Sequence, residues 1–366
     1  MPLSRRDFCH LLGAGAAAPA VLSRVGEANR GWRTDSLIRL DSNENPYGPS
    51  PAARAAMGAV LPEAGRYPGS QPLVTAIARE NGVAEANVLL TVGATEGLGI
   101  CARTCTGPAA PLVTGAPSYG AIATASEALG HPVIRVPLRE DGGLDLDLMA
   151  RQAPGAGLVY LCNPNNPTGT LVLGPDLRRF IARVEATAPA TTIVVGEAYH
   201  EYIETPGYES AVAEALRSPR VIVNRTFSKL YGLAGLRLGY LIAQEETLRR
   251  VAAQRVPLGA SVVAIAAALA ALADAPERER QRRLNTAGRK ATERFCAERG
   301  WRFHVAHANY LFLDVGRDVT GLRAACQEQG LLIGRPYPPA VTWARITIGT
   351  PDEMERGLAI LARVLQ

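Results

Sequence analysis

This 366-residue chain has little of what marks a metal, disulfide or membrane protein. Its six cysteines stand at positions 9, 101, 105, 162, 296 and 326, and no two form a Cys-x-x-Cys pair. Removal of an N-terminal leader carrying Cys9 would leave five, an odd number, which argues against a disulfide framework. Cys101 and Cys105 lie one helical turn apart in an apolar stretch, so buried thiols are expected there. The five histidines show no ligand spacing, and no metal site is expected. No uninterrupted apolar run reaches the roughly 20 residues that a membrane-spanning helix needs. A net charge of +5 is modest, and its basic residues are scattered. The one dense run, Glu277-Arg-Glu-Arg-Gln-Arg-Arg283, interleaves acids with bases, which describes a solvated helix face and excludes a nucleic-acid surface. No internal repeat or low-complexity tract is present.

What is there suits a soluble globular protein: 47% of residues are hydrophobic and 20% charged. That length accommodates one large α/β domain and a smaller one. Short apolar runs at 88–91, 112–114, 133–137, 158–162, 193–195, 221–224 and 238–242 alternate with helical patterns. Between two of them, residues 175–185 are apolar at 177, 180, 181 and 184, the period of a helix, so the unit is βαβ. Repeated units of this kind predict a mainly parallel sheet covered on both faces. Past residue 242 the pattern changes to longer helices, with short strands at 310–315 and 345–348. The alanine-rich run 260–273 is expected to form a buried or interface helix. The expected division is a leader at 1–28, an N-terminal arm at 29–60, a large domain at 61–245 and a small C-terminal domain at 246–366.

The leader is read from Ser4-Arg-Arg-Asp-Phe8 followed by a weakly hydrophobic, alanine-rich stretch from Leu11 to Leu22. Paired arginines before such a stretch predict a twin-arginine signal, hence passage through the twin-arginine translocase and a periplasmic or otherwise exported location.

The chemistry centres on Lys229. The run Val221-Ile-Val-Asn-Arg-Thr-Phe-Ser-Lys-Leu-Tyr-Gly-Leu-Ala-Gly-Leu-Arg237 ends an apolar strand in hydroxyls, a lysine, glycines and an arginine. A lysine amine is nucleophilic only when neutral, and a strand-end site beside a cation lowers its pKa. Thr226, Ser228 and Arg237 are the donors that a phosphate wants. An aldehyde and a phosphate on one molecule describe pyridoxal 5′-phosphate (PLP), with Lys229 as its Schiff-base lysine. Val92-Gly-Ala-Thr-Glu96 opens a helix directly after a strand, so the N–H groups near Ala94 and Thr95 form a third wall for that phosphate. Tyr119 offers an aromatic face for the pyridine ring.

Seven motifs, in order, carry a resemblance to the fold-type I PLP-dependent aminotransferases and to their histidinol-phosphate aminotransferase branch. They are Leu40-Asp-Ser-Asn-Glu-Asn-Pro-Tyr-Gly-Pro-Ser-Pro51, Arg66-Tyr-Pro68, Val92-Gly-Ala-Thr-Glu96, Ala116-Pro-Ser-Tyr119, Asn163-Pro-Asn-Asn-Pro-Thr-Gly169, Glu197-Ala-Tyr199 and Arg345-Ile-Thr-Ile-Gly-Thr350. The resemblance runs from about residue 40 to the C-terminus. It implies the PLP-transferase α/β fold, a transaminase that exchanges an amino donor for a keto acid acceptor, and a homodimer with shared sites. It assigns Asn166 and Tyr199 to the pyridine 3′-oxygen, with Tyr199 also catalytic, and Tyr67 to the cofactor phosphate of the neighbouring subunit. Arg345 would take the substrate carboxylate, with Arg335, Asn45 and Tyr47 as further substrate-side residues. The segment from 335 to 345 looks shortened, so the substrate pocket is expected to differ, and export points away from histidinol phosphate itself.

One departure stands out. The family motif is Asp-Glu-Ala-Tyr, and this chain has Gly196-Glu-Ala-Tyr199. The missing aspartate pairs with the protonated pyridine nitrogen in the family, and Glu197 points to the opposite face of an extended strand. That leaves two alternatives open beside transamination. One is a decarboxylase, racemase or lyase of the same fold, as threonine-phosphate decarboxylase is within the wider family. The other is a catalytically impaired PLP-binding protein.

Overall fold

The computed structural model describes residues 37–255 and 259–366. The expected leader and the first residues of the arm lie outside the described residues. Residues 39–366 form one compact unit. The strands, in chain order, are β1 (Ile38–Leu40), β2 (Val88–Thr91), β3 (Leu112–Ala116), β4 (Val133–Pro137), β5 (Leu158–Cys162), β6 (Thr192–Gly196), β7 (Val221–Thr226), β8 (Gly239–Ile242), β9 (Tyr310–Asp314), β10 (Leu331–Ile333) and β11 (Trp343–Thr347).

Seven of them make the central sheet, in the order β2-β8-β7-β6-β5-β3-β4. The pairings through β4, β3, β5, β6 and β7 are parallel, and only β8 runs against its neighbours. All seven apolar runs of the sequence became these strands. β5, β6 and β7 are buried on both faces, which is why they read as unbroken apolar runs rather than alternating ones. The helix expected around 175–185 spans Gly174–Thr187 and buries Leu177, Phe180, Ile181 and Val184.

Two cores flank the sheet. Leu98, Ile100 and Cys101 of the helix Gly93–Cys105 pack with Tyr160, Cys162, Val194 and Ile222 on one face. Val159, Leu161, Val195, Val223 and Phe180 belong to the cluster on the other. The alanine-rich run forms the helix Val262–Ala273, which packs against the helix Pro51–Val60. Small side chains on it allow that close approach.

Beyond β8 the long helix Ala275–Glu298 carries the charged run, where Glu277 pairs with Arg280 and Glu279 with Arg282 and Arg283. β9 and β11 form an antiparallel pair in which Arg345 lies opposite Phe312. The C-terminal helix Pro351–Leu365 starts in a capping box between Thr350 and Glu353. Among the described residues the cysteines are free, no cluster could hold a metal ion, and no helix is long and apolar enough to cross a membrane.

Candidate active site

Each motif follows a parallel strand, so the motifs meet where the carboxyl ends of the strands open. The result is a cavity of about 680 Å³, lined from the sheet by Tyr160, Cys162, Gly196, Asn224 and Thr226. Ser42, Asn43, Tyr119, Asn166, Tyr199, Ser228, Lys229, Arg237 and Arg345 complete much of the wall.

One end is built for an anion. The helix Gly93–Cys105 begins there, and its first N–H groups have no intrahelical acceptor. Gly93 sits at φ +74°, and a Cβ on it would meet the Arg237 guanidinium at 2.5 Å, so only glycine lets that arginine lie against the helix start. Arg237 itself adopts φ +54°, strained for a residue that carries a Cβ, and donates to the Ala234 carbonyl at 2.8 Å and to Ser228 Oγ at 3.4 Å. Thr226 Oγ1 reaches Ser228 Oγ at 3.0 Å. Two hydroxyls, a guanidinium and a helix N-terminus therefore converge. Ala94 and Thr95 line the same end, and Thr95 Oγ1 lies 3.2 Å from Tyr119 Oη.

Lys229 follows β7 and stands between this end and a group of arginines. Its Nζ donates to the Asn43 carbonyl at 3.0 Å. Burial, and then the charges of Arg345 and Arg237 working against Glu44, lower its pKa from 10.5 to about 8. The amine is thus easier to deprotonate than an ordinary lysine, which is what nucleophilic attack requires.

Tyr199 is held from two sides. Asn43 Nδ2 donates to its hydroxyl at 2.9 Å and Asn166 Nδ2 at 3.2 Å, while Tyr310 packs edge-on at 5.1 Å. Burial first of all drives the phenol pKa upward, so it stays protonated. Arg345, 7% exposed on β11, donates to Asn166 Oδ1 at 2.8 Å and to the Asp41 carbonyl, and its Nε has no partner among the described residues. Arg335 and Arg323 line the cavity beside it, with Arg335 stacked over Tyr337 at 4.5 Å.

The comparisons agree with this geometry. Residues 35–361 match the family described as aminotransferase class I and II. The chain belongs to that family. It is 35% identical over 362 residues to histidinol-phosphate aminotransferase 1 of Cupriavidus pinatubonensis, covering 96% of this chain and 95% of that protein. It is 34% identical over 348 residues to the histidinol-phosphate aminotransferase of Bacillus licheniformis, at 93% and 95% coverage. Its fold is similar to the crystal structure of histidinol-phosphate aminotransferase from Sinorhizobium meliloti in complex with pyridoxal-5′-phosphate, with a TM-score of 0.83 and 29% identity over 89% of this chain and 90% of that one.

In this aminotransferase some of the expected residues are placed elsewhere and others join the site. Asn45 and Tyr47 do not line the cavity. Asn45 Nδ2 instead ties the loop after Lys229 by donating to the Leu230 carbonyl at 2.7 Å, and the Tyr47 ring lies 5.7 Å from the Arg280 guanidinium carbon. The residue that does enter is Asn43. Its φ of +53° turns the arm inward, and Thr347 Oγ1 locks it by accepting from its N–H at 2.9 Å and donating to its Oδ1 at 3.1 Å. Only the positive-φ tendency of asparagine hinted at this. Tyr67 is fully exposed and stands outside the cavity of its own chain. Arg323 went unnoticed because nothing in its helix, Val319–Glu328, marks it from an ordinary surface arginine.

Glu197 lies on the face away from the cavity, as strand alternation requires. Both its oxygens are used: Arg225 donates to Oε2 through Nε at 3.0 Å and Nη2 at 2.8 Å, and the Ala211 N–H donates to Oε1 at 2.7 Å. It is committed to this buried ion pair.

Proposed function

We propose that this chain is a PLP-dependent aminotransferase acting on an amino acid or related amine that carries an anionic group, with a keto acid as acceptor. The observation that carries the reading is the position of Lys229, a lysine of lowered pKa between an anion cradle and a buried, half-satisfied arginine. The residues fit the cofactor: the cradle at Gly93, Ser228 and Arg237 suits its phosphate, and the cavity has room for a ring beside Tyr119.

When bound, PLP supplies an aldehyde that condenses with amines and a ring that spreads the electron pair left at the substrate α-carbon. The chain supplies the rest. Thr226, Ser228 and Arg237 would hold the phosphate. Lys229 Nζ, neutral in part near physiological pH, is the amine that would hold the aldehyde. The same amine, lining the cavity with its pKa lowered, would carry the substrate α-proton. Asn43 and Asn166 both donate to Tyr199, so the hydroxyl proton of Tyr199 is directed away from them and is free for an oxygen of the ligand. Arg345 turns from Asn166 to a substrate carboxylate, for which its planar fork is the matching partner. Arg323 and Arg335 extend the positive wall toward a second anionic group.

The test is spectroscopic. Purified protein given PLP should develop a visible absorption band that Lys229→Ala abolishes. Borohydride should then fix the cofactor to Lys229 and not to Lys290, the exposed second lysine of the chain. An amino donor should bleach the band and a keto acid restore it; a band that no donor in a broad panel bleaches would refute transamination.

Two further elements belong to this reading. The enzyme works as a homodimer in which the exposed Tyr67 completes the neighbour's phosphate site. Residues 1–28 direct export by the twin-arginine route, which a reporter fused behind them would show by appearing outside the cytoplasm only when Arg5 and Arg6 are intact.

A further inference from the structure

Gly196 on β6 and Asn224 on β7 are direct register partners in a parallel pair. Such partners project to the same side of a sheet. Asn224 therefore stands beside the place where the family motif carries an aspartate and this chain carries no side chain.

Asn224 is 1% exposed, and it lines the cavity. Its Nδ2 donates to the Ala94 carbonyl at 2.9 Å. Its Oδ1 is buried and has no hydrogen-bond partner among the described residues. The amide cannot be reversed, because that would press Oδ1 against the Ala94 carbonyl oxygen and leave two acceptors facing each other. A buried acceptor without a donor is costly, and native folds retain one where something outside the fold supplies the donor. The space around it is kept by glycine: a Cβ at Gly97 would stand 3.2 Å from Oδ1. Of the other polar groups near this end, Cys162 Sγ is engaged with the Pro164 carbonyl at 3.3 Å. The Tyr160 hydroxyl is the remaining candidate.

We propose that Asn224 Oδ1 accepts the N–H of the cofactor's pyridine ring, in place of the aspartate that Gly196 lacks. The proposal rests on the PLP reading above. It makes this chain a variant in which a neutral amide, anchored on the next strand, serves the ring nitrogen. An amide oxygen favours the protonated ring less than a carboxylate does, so the ring nitrogen here gives up its proton more readily than in relatives with the aspartate.

The experiment compares dissociation constants for PLP and for its 1-deaza analogue, which keeps the aldehyde and phosphate and replaces the ring nitrogen by CH. The readout is the ratio of the two within one variant, so any general damage to the pocket cancels. Wild type should favour PLP by roughly tenfold, the worth of one such hydrogen bond. Asn224→Leu should bring the ratio close to one, Asn224→Asp should raise it above wild type, and Tyr160→Phe should leave it unchanged. An unchanged ratio in Asn224→Leu overturns the proposal, as does its loss in Tyr160→Phe. If Asn224→Leu takes up neither compound, the aspartate variant decides, and no increase there overturns it. Wild type that binds both compounds equally refutes this inference alone, whereas wild type that binds neither refutes the PLP reading itself.

Discussion

The Tyr160 hydroxyl occupies the space that a side chain at Gly196 would enter: a Cβ there would stand 2.5 Å from Tyr160 Oη and 3.0 Å from its ring. The two residues are coupled, and Gly196 cannot be changed without moving a buried tyrosine. Gly196→Asp alone should therefore destabilise the protein by about 1–3 kcal/mol, the cost of overpacking a filled site. It should also bind PLP no more tightly than wild type. Adding Tyr160→Val should recover stability and tighten cofactor binding relative to the single variant. Chemical denaturation and PLP titration check both halves; a single variant as stable as wild type with tighter binding would refute the coupling.

Lys229 should give the site a definite pH response. With its pKa at about 8, capture of the aldehyde should accelerate as pH rises through 8 and level off above it. Arg345 is the largest charge holding that value down, after burial. Arg345→Gln should therefore move the midpoint upward, yet not to 10.5, because burial remains. The rate at which the visible band forms, followed against pH, gives the midpoint directly.

The Glu197–Arg225 pair should be the most sensitive ionic contact to single truncation. Its side chains are 0% and 5% exposed, so removing one partner strands a buried charge. Arg225→Met should cost about 3–5 kcal/mol, and Glu197→Gln with Arg225→Met should recover part of it. Burial opposes ionisation of Glu197, but Arg225, His200 and the Ala211 N–H outweigh it and hold the carboxyl below its ordinary pKa. Its contribution is thus present above that ordinary range and fades as pH falls through the lowered value. Denaturant midpoints at neutral and acid pH measure both effects.

Tyr67 should act across the proposed dimer. Lys229→Ala should be inactive by itself, and Tyr67→Phe should weaken PLP binding by roughly tenfold, the loss of one charge-assisted hydrogen bond. Mixed dimers of the two should regain one intact site in two, because the chain with Lys229 receives Tyr67 from its neighbour. Activity of the mixture no higher than the Tyr67→Phe share alone would place Tyr67 within its own chain.

Much of the site was legible because its parts are local. A phosphate cradle needs a strand end, a hydroxyl turn and a helix start, and each is a short stretch of chain, at 226–228 and 92–96. The strand runs place those stretches at the ends of strands of one sheet. The arm was not legible. Asn43 enters the cavity through contacts with Thr347 and Tyr199, more than a hundred residues away, and no local pattern distinguishes it from Asn45.

Asn224 shows the same limit from inside a strand. In the sequence it is only the polar end of the apolar run 221–224. Its unpaired oxygen exists only because Ala94 takes the amide from one side and β6 offers glycine from the other. The sequence alone determined the family, the sheet and the chemistry at Lys229, since hydrophobic period and short motifs are written in neighbouring residues. The tertiary structure alone decided which buried polar atoms are left without partners. That property belongs to no residue by itself, because it is the sum of everything the rest of the chain brings against it.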